Sequence, residues 1–261
     1  MNKKVIIWSV ITALGGFLFG FDTVVVSGAE QALQKYWHLG DFQQGFTIAI
    51  ALVGTMVGAF GGRMPADKLG RKVALMIVAF IFLITSLGTA FATNWYLFVI
   101  LRFIGGLGIG ASSVIAPVYI SEISPASFRG RLVILFQGNI VLGIVIALLS
   151  NYIIVLSYHG SWRLMMAVMA APSLLYLILL RFVPESPRWL ILHKARYDDA
   201  KETLKVINPN DYEQEMQSII TSKNEEVKDS SSEKLFSKRY SRLAWLALVK
   251  MTLSPPPFIS G

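Results

Sequence analysis

"GGFLFGFDTVVVSGA", Gly15–Ala29, is an apolar run in which Asp22 is the only charge, and no other interrupts the chain from Val5 to Ala29. The reading of this run decides the fold. A charged side chain near the centre of a bilayer costs about 2.5–3.5 kcal/mol on insertion scales, so one that persists there faces a cavity or a partner. The first question is therefore whether the run spans a membrane.

Composition answers it. The chain of 261 residues is 54% hydrophobic and 15% charged, with a mean hydropathy of +0.56; an average soluble domain is about a quarter charged. Six apolar segments can be read, at 5–29, 45–62, 73–92, 95–117, 132–156 and 163–183. Each is close to the roughly 20 residues a helix needs to cross the hydrocarbon. The expected fold class is an all-α membrane protein, a six-helix bundle.

A net charge of +8 suggests acidic partners until its distribution is considered. Lys3 and Lys4 precede the first segment, Arg63, Lys68, Arg71 and Lys72 surround the second connection, and Arg129 and Arg131 sit in the fourth. The first, third and fifth connections hold Lys35 and little else. That alternation is the positive-inside pattern and puts both termini in the cytoplasm, in a multi-pass protein of the inner (plasma) membrane. It leaves no basic surface with interleaved aromatics for nucleic acid. The start resembles a signal peptide, but its apolar run is too long and five more spans follow, so a retained first span is expected. There is no cysteine, and His38, His159 and His193 lie apart without a partner pattern. Neither a metal site, a cofactor nor an enzyme's catalytic cluster is expected.

Beyond Val183 the character changes. In "PESPRWLILHKARYDDAKETLKVI", Ser186 reads as a helix N-cap and Pro187 as the first helical residue. Trp189, Leu190, Leu192, Ala195, Ala200 and Leu204 then approximate one apolar face, and a second short helix is expected near 211–220. The chain divides into a bundle at 1–183, a cytoplasmic helical loop domain at 184–240, and a seventh segment that starts at 241–261. In the last, Lys250 and the prolines at 255–257 interrupt the apolar pattern. That tail reads as a premature end or a shifted frame.

A repeat is also visible. Gly15-Gly16-x-x-x-Gly20 in the first span matches Gly105-Gly106-x-x-x-Gly110 in the fourth, each starting ten residues into its span. The two spans enter from opposite sides, the register of a 3+3 inverted repeat. Small residues at this spacing also let helices pack closely. "GGLGIG" lacks the G-x-G-x-x-G spacing and a preceding strand, so a dinucleotide site is rejected.

Four stretches in order resemble the landmarks of sugar porters in the major facilitator superfamily. They are "GFDTVVVSGA", "ADKLGRK" at 66–72, "RFIGGLGIGASSVIAPVYISEISPASFRGR" at 102–131 and "PESPRWL" at 184–190. The resemblance implies a proton-coupled carrier of a pentose or hexose, working by alternating access, with this chain as the N-terminal half. Asp22 lies seven residues before the expected outer end of the first span and Arg102 seven after the outer start of the fourth, so both sit about 10 Å deep and an acid–base pair between them is expected. The resemblance associates proton coupling with Asp22 and a sugar contact with Gln137, and Phe19 is a candidate to line the same cavity. The resemblance further implies a cytoplasmic latch of Asp67, Arg71, Glu122, Arg129, Glu185 and Arg188. Some proton-coupled relatives have a second glutamine at the position of Ile144 and a carboxylate at that of Met169; both are absent here. One departure concerns packing: the family's glycine four residues before Asp67 is Arg63 here, with Gly62 one further back, and a one-residue offset turns a helix by about 100°. Because the resemblance also implies a second half, it predicts that these residues alone do not transport. The alternatives are a facilitative sugar or polyol carrier, and a non-transporting membrane fragment or pseudogene product.

Overall fold

A computed structural model describes residues 2–158 and 160–229, and every regular element among them is helical. The seventh segment at 241–261, residues 230–240 of the loop domain and His159 lie outside the described residues.

Helix α1 (Lys3–Trp37) opens on Asn2, whose side chain accepts the Lys4 N–H, and stops at His38, which turns into the left-handed region at φ 50°. It overruns the expected end at Ala29. Hydrophobicity fades there, but "EQALQKYW" is rich in good helix formers and buries Leu33, so the helix continues as a polar extension. At 1.5 Å per residue its 35 residues reach about 52 Å, well beyond a hydrocarbon core of about 30 Å. The other membrane-length helices agree with the sequence to within a few residues: α2 (Asp41–Gly61), α4 (Arg71–Ala90), α5 (Trp95–Glu122) and α6 (Arg129–Ser157). The sixth span is α7 (Trp162–Val168) and α8 (Ala170–Leu179) in series, running on to Phe182. The short α3 (Arg63–Leu69) lies between α2 and α4.

The repeated glycines explain the packing. Helix α1 lies along α6, and α5 lies along α2. A Cβ at Gly16 or Gly20 would run into the carbonyls of Phe136 or Ile140 on α6; at Gly106 or Gly110 it would meet those of Ala51 or Thr55 on α2. The partners reply in kind, with Gly143 on the Phe17 carbonyl, and Gly54 and Gly58 on those of Phe103 and Leu107. Exchanging first with fourth spans and second with fifth converts one pair into the other, as an inverted repeat requires. The offset at Arg63 does not loosen the end of α2. Gly62 packs on Ala111 of α5 while the helix breaks into α3, and the Arg63 side chain points out with 84% of its area exposed.

The end of the bundle opposite the α2–α4 connection is tied by aromatic residues around Arg163. Its guanidinium donates to the carbonyls of Ala90 and Ala92 and to the Tyr36 hydroxyl, and lies 4.3 Å from the Trp162 ring. Outward-facing apolar residues of α6, among them Ile134, Leu142 and Leu148, remain exposed.

After Val183 the expected N-cap is present, with Ser186 Oγ accepting from the Trp189 N–H at 3.2 Å. One continuous apolar face is not. Helix α9 (Pro187–Trp189) passes into a π-turn at Leu190–Lys194, and Ala195, at φ 52°, ends it exposed. A separate α10 (Tyr197–Ile207) then buries Ala200, Thr203, Leu204 and Ile207. Helix α11 spans Tyr212–Asp229.

Candidate functional site

Asp22 and Arg102 meet inside the bundle. Arg102 Nη1 donates to Asp22 Oδ1 at 2.5 Å, and the two residues are 6% and 7% exposed. The pair forms although their helix ends do not match: Asp22 is about 22 Å along α1 from Trp37, while Arg102 is about 10 Å along α5 from Trp95. Burial makes the pair interdependent. Removing one partner from a buried ion pair leaves an uncompensated charge, which costs far more than the pair contributes. Beside the pair is a small cavity, about 10 Å3, walled by α4, α5 and the sixth span, with Met166 and Met169 closing one side. Met169 thus stands next to Asp22 and Arg102, where the resemblance implied a carboxylate in some carriers.

The charges around the connection between α2 and α4 form a second cluster. Arg71 reaches Asp67 Oδ1 at 3.1 Å and the Ala66 carbonyl at 3.2 Å, while Arg63 takes the other oxygen of Asp67 at 3.3 Å. Arg71 Nε faces Glu122 Oε2 at 3.2 Å without aligning into a hydrogen bond, so attraction there is charge on charge. Glu185 does different work. Its Oε1 accepts the backbone N–H groups of Lys72 and Ser186 at 3.0 and 2.9 Å, so it caps the start of α4 from 113 residues away. Gly70, at φ 104°, cannot supply that cap, and a Cβ on it would collide with the Glu185 carboxylate. Burial pushes the Glu185 carboxyl above the usual range, opposed by N–H groups of Lys72, Ser186 and Arg71 and by the Arg71 charge. Two further bonds fasten the turn: Trp189 Nε1 donates to the Asp67 carbonyl at 2.7 Å, and the Tyr119 hydroxyl to that of Pro184 at 2.6 Å. Arg129 donates to the Ser121 carbonyl at 3.0 Å. Arg188 is exposed and joins no carboxylate among the described residues.

Residues 8–254 match the family model described as "Sugar (and other) transporter". The chain belongs to that family. It is a family of transporters rather than enzymes, and the six helices make this member a multi-pass membrane protein. Among its relatives, the "Glucose transport protein" of Synechocystis sp. is 44% identical over 200 residues, 72% of this chain and 43% of that one. The "Arabinose-proton symporter" of Escherichia coli is 37% identical over 199 residues, 76% of this chain and 42% of that one. The proton:xylose symporter XylE of E. coli, bound to 6-bromo-6-deoxy-D-glucose, is 33% identical with a TM-score of 0.82, covering 88% of this chain and 55% of its own. The chain spans about half the length of the curated relatives it matches.

Within the bundle, the two sugar-contact candidates are less engaged than the charges. Gln137 is exposed on α6, next to the Phe136 carbonyl on which Gly16 packs, and bonds to nothing among the described residues. Phe19, three residues before Asp22, is half-buried against the core. The structure does not bring Gln137 and the ion pair into contact. Sequence reasoning missed the hydroxyls of Thr85, Ser86 and Thr89, which line the cavity beside the pair. A signal existed, since "TSLGT" places two threonines four residues apart on one helix face. It also passed over Trp189 and Tyr119 as fasteners of the turn around Asp67 and Pro184.

Proposed function

We propose that this bundle is one half of a sugar:proton symporter that works by alternating access. Its substrates are a pentose or hexose and a proton, and it lies in the plasma (inner) membrane with both termini cytoplasmic. The carrying observation is the Asp22–Arg102 pair: an acid and a base buried together in a family whose members include carriers described as proton symporters. Protonation of Asp22 releases Arg102 from its carboxylate, and that change couples proton uptake to a rearrangement of α1 against α5. Gln137 and Phe19 contribute sugar contacts, an amide suiting hydroxyl-rich ligands because it both donates and accepts. Asp67, Arg71, Glu122 and Glu185, with Arg129 and Arg188 at the same surface, form the inner latch. A second six-span half supplies the rest of the cavity, and the exposed apolar face of α6 is one surface it covers. The 261 residues alone do not transport.

The test is uptake in proteoliposomes by a transporter containing this bundle and a second half. Asp22→Asn should abolish proton-driven accumulation while sugar exchange persists, because an amide keeps polarity but carries no proton. Accumulation at the unaltered level would refute the coupling. A facilitative carrier of sugars or polyols is the second reading, favoured by the apolar Met169 beside the pair; exchange without any proton-driven accumulation in the unaltered protein would select it.

A further inference from the structure

Arg102 has a donor that its bond to Asp22 does not use. Arg102 Nε is buried and has no hydrogen-bond partner among the described residues, although a guanidinium has five N–H donors to satisfy. The cavity that Arg102 lines is also lined by Thr85, Ser86 and Thr89, each at most 6% exposed. All three hydroxyl protons are already committed. Thr85 Oγ1 donates to the Ile81 carbonyl at 2.8 Å, Ser86 Oγ to Leu83 at 3.0 Å, and Thr89 Oγ1 to Thr85 at 2.7 Å. What the hydroxyls have left are lone pairs. The lining therefore combines hydroxyl oxygens free only to accept with a cationic donor, Arg102, whose Nε lacks an acceptor among the described residues.

A water molecule both accepts and donates, and a space of roughly 10–15 Å3 with two or more polar partners is what one water needs. The cavity is about 10 Å3. We infer that it holds one water, which accepts the Arg102 Nε–H and donates to the hydroxyl oxygens of Thr85 and Thr89, making these threonines positioning residues for Arg102. Gly105 keeps the space open, since a Cβ there would lie 3.3 Å from Thr85 Oγ1. The inference rests on the proton-coupled reading for its consequence. When Asp22 takes a proton, Arg102 loses the charge of its carboxylate, and the water with the α4 hydroxyls adds acceptors beside the neutral carboxyl. They hold the cation while the acid is neutral. Asp22 and Arg102 are the charged groups of the lining; α4 adds hydroxyls, and the sixth span adds the thioethers of Met166 and Met169.

Two measurements test this in the transporter with its second half. In a density map good enough to show other buried waters, a peak should lie within hydrogen-bond distance of Arg102 Nε and vanish in Gly105→Ala. No peak in the unaltered protein overturns the site. In proteoliposomes, Thr85→Val/Thr89→Val keeps shape but removes the acceptors, so the pH giving half-maximal uptake should move towards acid by about one unit or more, the effect of one lost hydrogen bond to a charged group. Thr85→Ser/Thr89→Ser should restore the original profile, which a purely packing role would not predict. An unmoved profile in the valine variant overturns the positioning role. A peak in a protein whose uptake ignores protons supports the water site and refutes the coupling reading instead.

Discussion

The bundle holds charge in two ways. Within the span region, Asp22 and Arg102 have one ion pair between them and no other charged neighbour around their cavity. Around the connection between α2 and α4, Arg71 shares two carboxylates, Asp67 shares two arginines, and Glu185 leans on backbone N–H groups. The first arrangement puts one bond under full leverage, which suits the proposed change of charge state at Asp22. The second spreads its strength over many contacts, so that no single member decides the outcome, as the proposed latch would need.

The largest test of that contrast is Arg102→Leu. It leaves Asp22 buried and unpaired, and should destabilise the protein by about 3–5 kcal/mol. Adding Asp22→Asn should recover most of that loss, read as thermal unfolding in detergent. If the single variant lost less than ~1 kcal/mol, the pair would be no more critical than the surface cluster.

Arg71→Ala should come second, at roughly half that loss, since Asp67 keeps Arg63 but Glu122 loses its cation. A loss as large as that of Arg102→Leu would mean that the cluster is not redundant.

Glu185→Gln sharpens the comparison through pH. Burial raises the native carboxyl above its unfolded value, so between those two values the folded state binds more protons than the unfolded state. Stability should therefore fall as pH rises from about 4.5 through the raised native value, and be flat on either side. The glutamine variant keeps the cap acceptor for the Lys72 N–H and should lose that slope, measured as the melting temperature across pH.

The smallest effect belongs to Arg63→Ala, where an exposed i,i+4 pair is worth about 0.5 kcal/mol or less. A larger change in melting temperature would show that Asp67 depends on Arg63 after all.

The spans, the Asp22–Arg102 meeting and the helix start at Ser186 were legible because each follows from local chemistry: hydrophobic length, a charge that needs a partner, a cap. The end of α1 was not, because hydropathy marks where the membrane stops rather than where the helix does. Equal counts from misjudged span ends led to the right partners, but the depths along the helices are unequal. The remote cap by Glu185 and the donor bonds of Tyr119 and Trp189 depend on the return of the chain after the sixth span. No local pattern encodes that return. Likewise Thr85 and Thr89 read as ordinary helix residues until the structure sets them beside Arg102.

The glycine seams carry a genetic consequence. Every single-base change that replaces one of these glycines by another amino acid adds at least a Cβ, and at Gly16, Gly20, Gly54, Gly58, Gly106, Gly110 and Gly143 that atom points at a neighbour's backbone. A lineage cannot drift through these positions one base at a time while the helix pairs stay in contact. Any tolerated replacement must arrive with a compensating shift of the opposing helix. The seams should therefore fix the spacing within each pair while the lipid-facing residues beside them vary freely.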